Sequence, residues 1–161
     1  MPNYVRNVMT LSGNKHDIDE VLAKCKTAES DFDFNGIIPM PDNIFRGNLG
    51  LEERLTYGKL NWYDWSCEHW GTKWNACDSR VEHSNMVCDG TNEARITFDT
   101  AWSAPIPVFE ALAKQYPDLC IVVNYADEDY GSNCGIWNNG ICFHYPYGDA
   151  AESFAEYVWS M

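Results

Sequence analysis

The run "LCIVVNYA", residues 119–126, constrains this chain more than any other stretch. It is nearly continuous in apolar residues and short, as in a strand covered on both faces. Such a strand needs a sheet beside it and packed layers on either side. Two other segments alternate instead. Near the amino terminus Val5, Asn7, Met9 and Leu11 share one face, and Tyr4, Arg6, Val8 and Thr10 the other. In "ARITFDTAW" Ile96, Phe98 and Trp102 fall opposite Arg95, Thr97 and Asp99, which predicts a one-sided strand. A further strand is expected from "TKWNA", paired with this one as a hairpin across a polar connection from about residue 78 to residue 92.

Helical spacing separates these strands. Ile18, Val21, Leu22 and Cys25 recur as a helix does, and Asp17 with Glu20 reads as a capping box, predicting a helix over 17–26. Phe109, Leu112, Ala113 and Tyr116 form a second stripe, opened near Pro107 and closed by Pro117. Residues 31–71 break regularity with prolines, glycines and asparagines, and read as an insertion. Within it "GLEERLTYGKL" predicts a short helix, and Asn61 caps a tryptophan-rich one from Trp62 to Trp70, stopped by Gly71. Asn139-Gly140 between apolar pairs is a hairpin signal, because both central residues of that turn take positive φ. Asp149 and Glu152 form another capping-box pattern before a final helix.

The order is therefore strand, helix, strand, strand, helix, strand. The expected class is α+β: a ferredoxin-like βαββαβ core, an antiparallel sheet with helices on one face, a large insertion after the first helix, and a C-terminal hairpin plus helix. Residues 1–161 suit a single domain. No apolar run approaches the roughly 20 residues that span a bilayer. The seven cysteines are odd in number, and "MPNYVRNVMTLSG" lacks the pattern of a signal peptide, so reduced thiols in a cytosol are expected.

The formal charge of −13 argues against a phosphate-backbone binder, because Lys and Arg supply most of that affinity. It points to a basic partner. The acids are spread along the sequence, and imitation of nucleic acid would require them to converge on one face.

Five stretches, "MPNYVRNVMTLSG", "FNGIIPMPDNIF", "NWYDWSCEHWGTKWNA", "FDTAWSAPIPVFEALAKQYPDL" and "YADEDYGSNCG", resemble the YubB ferredoxin-like proteins of conjugative plasmids and tailed phages. The resemblance implies the same fold and a home on a mobile genetic element inside a bacterial cell. It implies no reaction and no active site. Accessory proteins of such elements often counter host defences, which makes inhibition of a restriction or CRISPR system an expectation by association.

Four constellations have chemistry to offer. Cys67, His69, Cys77 and either Cys88 or His83 are zinc-type ligands, but they lack the two close-spaced pairs of a structural site, and Cys67 and His69 point apart on a helix. Cys134 is placed to meet His144 across the predicted hairpin as a nucleophile and base. Asp127, Glu128 and Asp129, followed by Tyr130, lie past the end of a central strand, where ligand sites are common, although their spacing departs from a calcium loop. Seven tryptophans exceed what one small core needs, and aromatic residues dominate interface hot spots. A structural role is expected beside the binding one: Trp74 and Trp102 facing one another across the hairpin, and Trp62 and Trp65 sealing the insertion helix against the sheet.

The expected function is that of a non-enzymatic cytoplasmic accessory protein, without metal or cofactor. Its partner is a host protein with a basic or nucleic-acid-binding surface, not nucleic acid itself or a membrane. The expected binding residues are Trp62, Trp65, Trp70, Trp137, Asp127, Glu128, Asp129 and Tyr130. The alternative is a small-ligand-binding or hydrolytic enzyme working from the loop 125–134, with Asp127 or Asp129 as base or metal ligand and Cys134 or His144 assisting.

Overall fold

The computed structural model describes residues 1–84 and 91–161. Its elements are β1 (Tyr4–Gly13), α1 (Lys15–Cys25), α2 (Leu51–Tyr57), α3 (Trp62–His69), β2 (Cys77–Ser84), β3 (Asn92–Ala101), α4 (Ile106–Gln115), β4 (Cys120–Asp127), β5 (Gly135–Asn138), β6 (Ile141–His144) and α5 (Asp149–Ser160). The strands form one antiparallel sheet in the order β2-β3-β1-β4-β5-β6. The first four neighbours follow the ferredoxin-like order, with α1 and α4 as the crossovers, and the β5–β6 hairpin extends the sheet beyond β4. The class is α+β as expected, with the insertion and the C-terminal additions in place. Among the described residues no helix is long and apolar enough to cross a membrane.

Alternation along β1 divides two packed layers. Val5, Met9 and Leu11 join Ile18 and Val21 of α1 and Val108, Phe109 and Leu112 of α4 in the main core. Val8 points the other way, into a smaller cluster with Ala126, Cys134 and the α5 residues Ala151, Ala155 and Val158. The apolar run of β4 is explained by the same split, since Ile121, Val123 and Tyr125 face the first layer and Ala126 the second. The final helix therefore lies on the face of the sheet opposite α1 and α4. Trp159 fastens it there, its Nε1 donating to the carbonyls of Asp127 at 3.0 Å and Ala126 at 3.2 Å.

The insertion is anchored by aromatic packing. Phe32 and Phe34 enter the core beside Phe98, and Phe34 meets Trp70 edge to face at 5.6 Å. Such pairs contribute about 1 kcal/mol each beyond their buried area. Asn61 caps α3 as expected, its side chain accepting from the Asp64 N–H at 3.0 Å, and Gly71 closes the segment at φ +73°. Asn139 and Gly140 both take positive φ, at 43° and 95°, as the hairpin turn requires.

Four local expectations need correction. The cap of α1 is Asn14, which accepts from the Asp17 N–H, so the helix starts before Asp17 and Asp17 is its third residue. Gly148 occupies the N-cap of α5 without a side-chain hydrogen bond, and Asp149 is already helical. Residues 72–76 are not strand: β2 begins at Cys77 and extends to Ser84, into the stretch expected to be a polar connection, whose residues 85–90 lie outside the described ones. A register shift between Cys77 and Arg80, with Asp78 at φ +49°, breaks the period of two that marks a strand. Finally, Trp74 and Trp102 are not a cross-strand pair. Lys73 lies between them, its Nζ 4.9 Å from one ring and 4.7 Å from the other.

Candidate binding surface

The start of β1 and the ends of β3 and β4 meet at one end of the sheet, because Tyr4 pairs with Ala101 and Val5 with Asp127. Asp127 itself is buried, and its Oδ1 accepts from Asn3 Nδ2 at 3.0 Å and from the Asp129 N–H at 2.9 Å. That carboxylate caps its own turn. Glu128 is exposed, its Oε1 accepting from the Tyr4 N–H at 2.9 Å, and Asp129 and Tyr130 are exposed beside it. Trp102 follows directly on β3 and is 46% exposed. Its N–H donates to the Asn3 carbonyl at 3.0 Å, and its carbonyl accepts from Asn133 Nδ2 at 2.8 Å. Asn3 and Asn133 thus tie the acidic loop and Trp102 to the same end of the sheet. Trp102 holds φ +69°, in the left-handed region, which costs a non-glycine residue of the order of 1–2 kcal/mol.

The other tryptophans follow the structural reading more than the binding one. Trp65, Trp70 and Trp137 are buried in the main core and turn no ring face outward. Trp65 stacks on His69 at 4.4 Å, Trp70 Nε1 donates to the Ile38 carbonyl at 2.9 Å, and Trp137 packs against Phe109 at 5.7 Å. Trp62 is half-buried, its Nε1 donating to the Gly47 carbonyl at 3.0 Å. Trp102 was missed as a binding residue because counting in twos from Ile96 places it in the core. The "SAP" that follows it, a turn signal, shows that the strand has already ended.

The thiols and imidazoles do not assemble as the sequence suggested. Cys134 is buried under α5, its Sγ 3.7 Å from the Ala151 carbonyl, while His144 faces the opposite side of the sheet. His144 instead meets Tyr125 and Cys142. Its Nδ1 is 2.6 Å from the Tyr125 hydroxyl, and its Nε2 is 3.4 Å from Cys142 Sγ. Burial, and then the contact with Cys142, push the Tyr125 phenol well above its ordinary range. Of the zinc-type set, Cys67 is exposed, His69 lies on Trp65, and Cys77 Sγ donates to the Asp99 carbonyl at 3.2 Å. Cys88 lies outside the described residues. Among the described residues no three His, Cys, Asp or Glu side chains are placed to hold one metal ion. Some acids do converge: Glu29, Asp31, Asp33 and Asp78 line a cleft of about 720 Å³ whose cation is Lys26.

These features define a ferredoxin-like domain, extended at one sheet edge and covered on both faces, that presents an acidic and aromatic end. Residues 69–139 match the family model described as the ferredoxin-like domain in Api92-like protein. The match covers less than half of the chain and is consistent with the likeness to phage and plasmid ferredoxin-like proteins. It falls on the stretch from the end of α3 to the β5–β6 turn. No curated protein and no solved structure matches the chain.

Proposed function

We propose that this chain is a cytoplasmic accessory protein of a phage or plasmid that binds a host protein and inhibits it, a defence system being the target class. The observation carrying this reading is that exposed Trp102 and exposed Glu128, Asp129 and Tyr130 lie at the same end of the sheet, tied there by Asn3 and Asn133. A partly exposed indole at the same sheet end as an acidic loop suits a partner with basic and apolar patches: the ring supplies an anchor, and the carboxylates steer the encounter. The net charge of −13 favours the same partner at longer range. Inhibition would follow from occupying a surface that the partner needs for nucleic acid.

The test is capture from bacterial host lysate on immobilised protein, with Trp102→Ala and the Glu128→Lys/Asp129→Lys double variant as controls. A basic protein retained by the wild type and lost by both variants supports the reading. Retention that is equal on all three, or capture only of acidic proteins, contradicts it.

A further inference from the structure

A second concave surface has the opposite character. Arg46, Arg54 and Lys73 line a cleft of about 400 Å³, with Asn48, Trp62 and Tyr63 on its walls and no Asp or Glu among its lining residues. In a chain of 24 acids and 11 Lys and Arg, three cations in one acid-free cleft are a strong local departure. None of the three forms an ion pair among the described residues. Each is held in place instead. Arg46 Nη2 donates to the carbonyls of Met40 at 3.0 Å and Pro41 at 3.3 Å. The Arg54 guanidinium lies 5.5 Å from the centre of the Tyr63 ring, and Lys73 sits between Trp74 and Trp102. Trp62 and Tyr63 meet edge to face at 5.9 Å and 84°, which forms an aromatic corner.

The local backbone accounts for the cleft. Phe45 N–H donates to the Leu60 carbonyl at 3.0 Å and Trp62 N–H to the Phe45 carbonyl at 2.8 Å, clamping the loop that carries Arg46 onto the start of α3. The Trp62 indole fixes Gly47 from the other side. The walls are therefore tied to the ordered insertion.

We infer that this cleft binds a nucleoside phosphate, its phosphate held by Arg46, Arg54 and Lys73 and its base laid against Trp62 and Tyr63. Guanidinium groups match phosphate geometry through paired donors, and an aromatic corner accepts any flat base. The volume lies within the range of small-ligand pockets. The charge of −13 opposes a long phosphate backbone, but salt screens distant acids beyond about 8 Å, so a single nucleotide meets mainly the nearby cations. The cleft borders the acidic end of the sheet through Trp102, whose ring meets Lys73 Nζ at 4.7 Å and Tyr63 at 6.4 Å, but the inference does not rest on a protein binding at that end.

Calorimetric titration of the full chain at physiological ionic strength, with AMP, adenosine, inorganic phosphate, tetra-adenylate and a glutamate-rich peptide, tests it. AMP is expected to bind at least about tenfold tighter than adenosine or inorganic phosphate, since both halves of the site contribute. Arg54→Gln and Lys73→Gln are each expected to weaken AMP about tenfold while leaving the urea midpoint near that of the wild type. Tetra-adenylate binding no tighter than AMP identifies a free nucleotide as the source; tighter binding identifies a nucleotide within a strand. Absence of AMP binding, equal binding of AMP and phosphate, equal binding of the acidic peptide, or variants that bind AMP like the wild type overturns the inference.

Discussion

Arg6 and Asp99 form a two-pronged ion pair across β1 and β3, with Nε to Oδ1 at 2.9 Å and Nη2 to Oδ2 at 3.0 Å. The guanidinium lies 4.4 Å from the centre of the Trp159 ring, so α5 covers the pair. Removing Arg6 leaves the buried Asp99 carboxylate without its partner. Arg6→Ala is expected to lower unfolding stability by about 3 kcal/mol, measured by urea denaturation at neutral pH. A loss under 1 kcal/mol would show that water replaces the pair easily.

Trp137 is 1% exposed, packed in the main core beside Phe109. Trp137→Ala is expected to cost about 3–5 kcal/mol, the range for deleting a large core aromatic. Thermal or denaturant midpoints measure it. A near-neutral result would return Trp137 to the list of interface anchors.

Trp102 gives a contrasting case, because its backbone is held at φ +69°. Glycine adopts that conformation freely and alanine does not. Trp102→Gly is therefore expected to be more stable than Trp102→Ala by about 1 kcal/mol, even though both lose the ring. The comparison cancels the lost contacts and isolates the backbone. Equal stabilities would mean that the turn relaxes once the indole is gone.

Burial raises the Cys25 thiol from an ordinary 9.0 to about 12. The unfolded chain ionises it first, so its stabilising contribution is complete below pH 9 and disappears as pH rises from 9 to 12. The thiols of Cys77 and Cys134 are shifted the same way by burial, and Tyr116 is pushed up to about 12 by burial and its bond to Glu20. Urea midpoints should fall steadily above pH 9, each such group adding a slope of up to about 1.4 kcal/mol per pH unit. Cys25→Ala should flatten the fall between pH 9 and 10 while lowering stability at pH 7. An unchanged slope would place the alkaline loss elsewhere.

Where apolar periodicity decided structure, the sequence was legible. Val5, Met9 and Leu11 alternate because one face of β1 meets α1 and α4, and the run through Ile121 and Val123 is apolar because β4 lies inside the sheet. β2 was illegible for a physical reason. As an edge strand it needs only β3, so polar residues suffice, and the irregularity between Cys77 and Arg80 removes the remaining alternation. The candidate site was half legible. Strand-end logic found the loop of Glu128, Asp129 and Tyr130, but Asp127 is consumed by Asn3 and its own turn. The tryptophan count drew attention to Trp65, Trp70 and Trp137, which the core needed for itself. Composition cannot separate an interior ring from an exposed one, and only the left-handed turn after β3 turns Trp102 outward.

The most direct test of a protein-binding role is the affinity of a captured partner measured across salt concentration. For the wild type, affinity and association rate should fall as salt rises from about 50 to 500 mM, because carboxylates steer the encounter. The Glu128→Lys/Asp129→Lys variant should associate at least about tenfold more slowly at low salt and lose most of that dependence. Trp102→Ala should instead dissociate at least about tenfold faster. Affinity that is indifferent to salt and unchanged in both variants would contradict a basic partner docked on this end of the sheet.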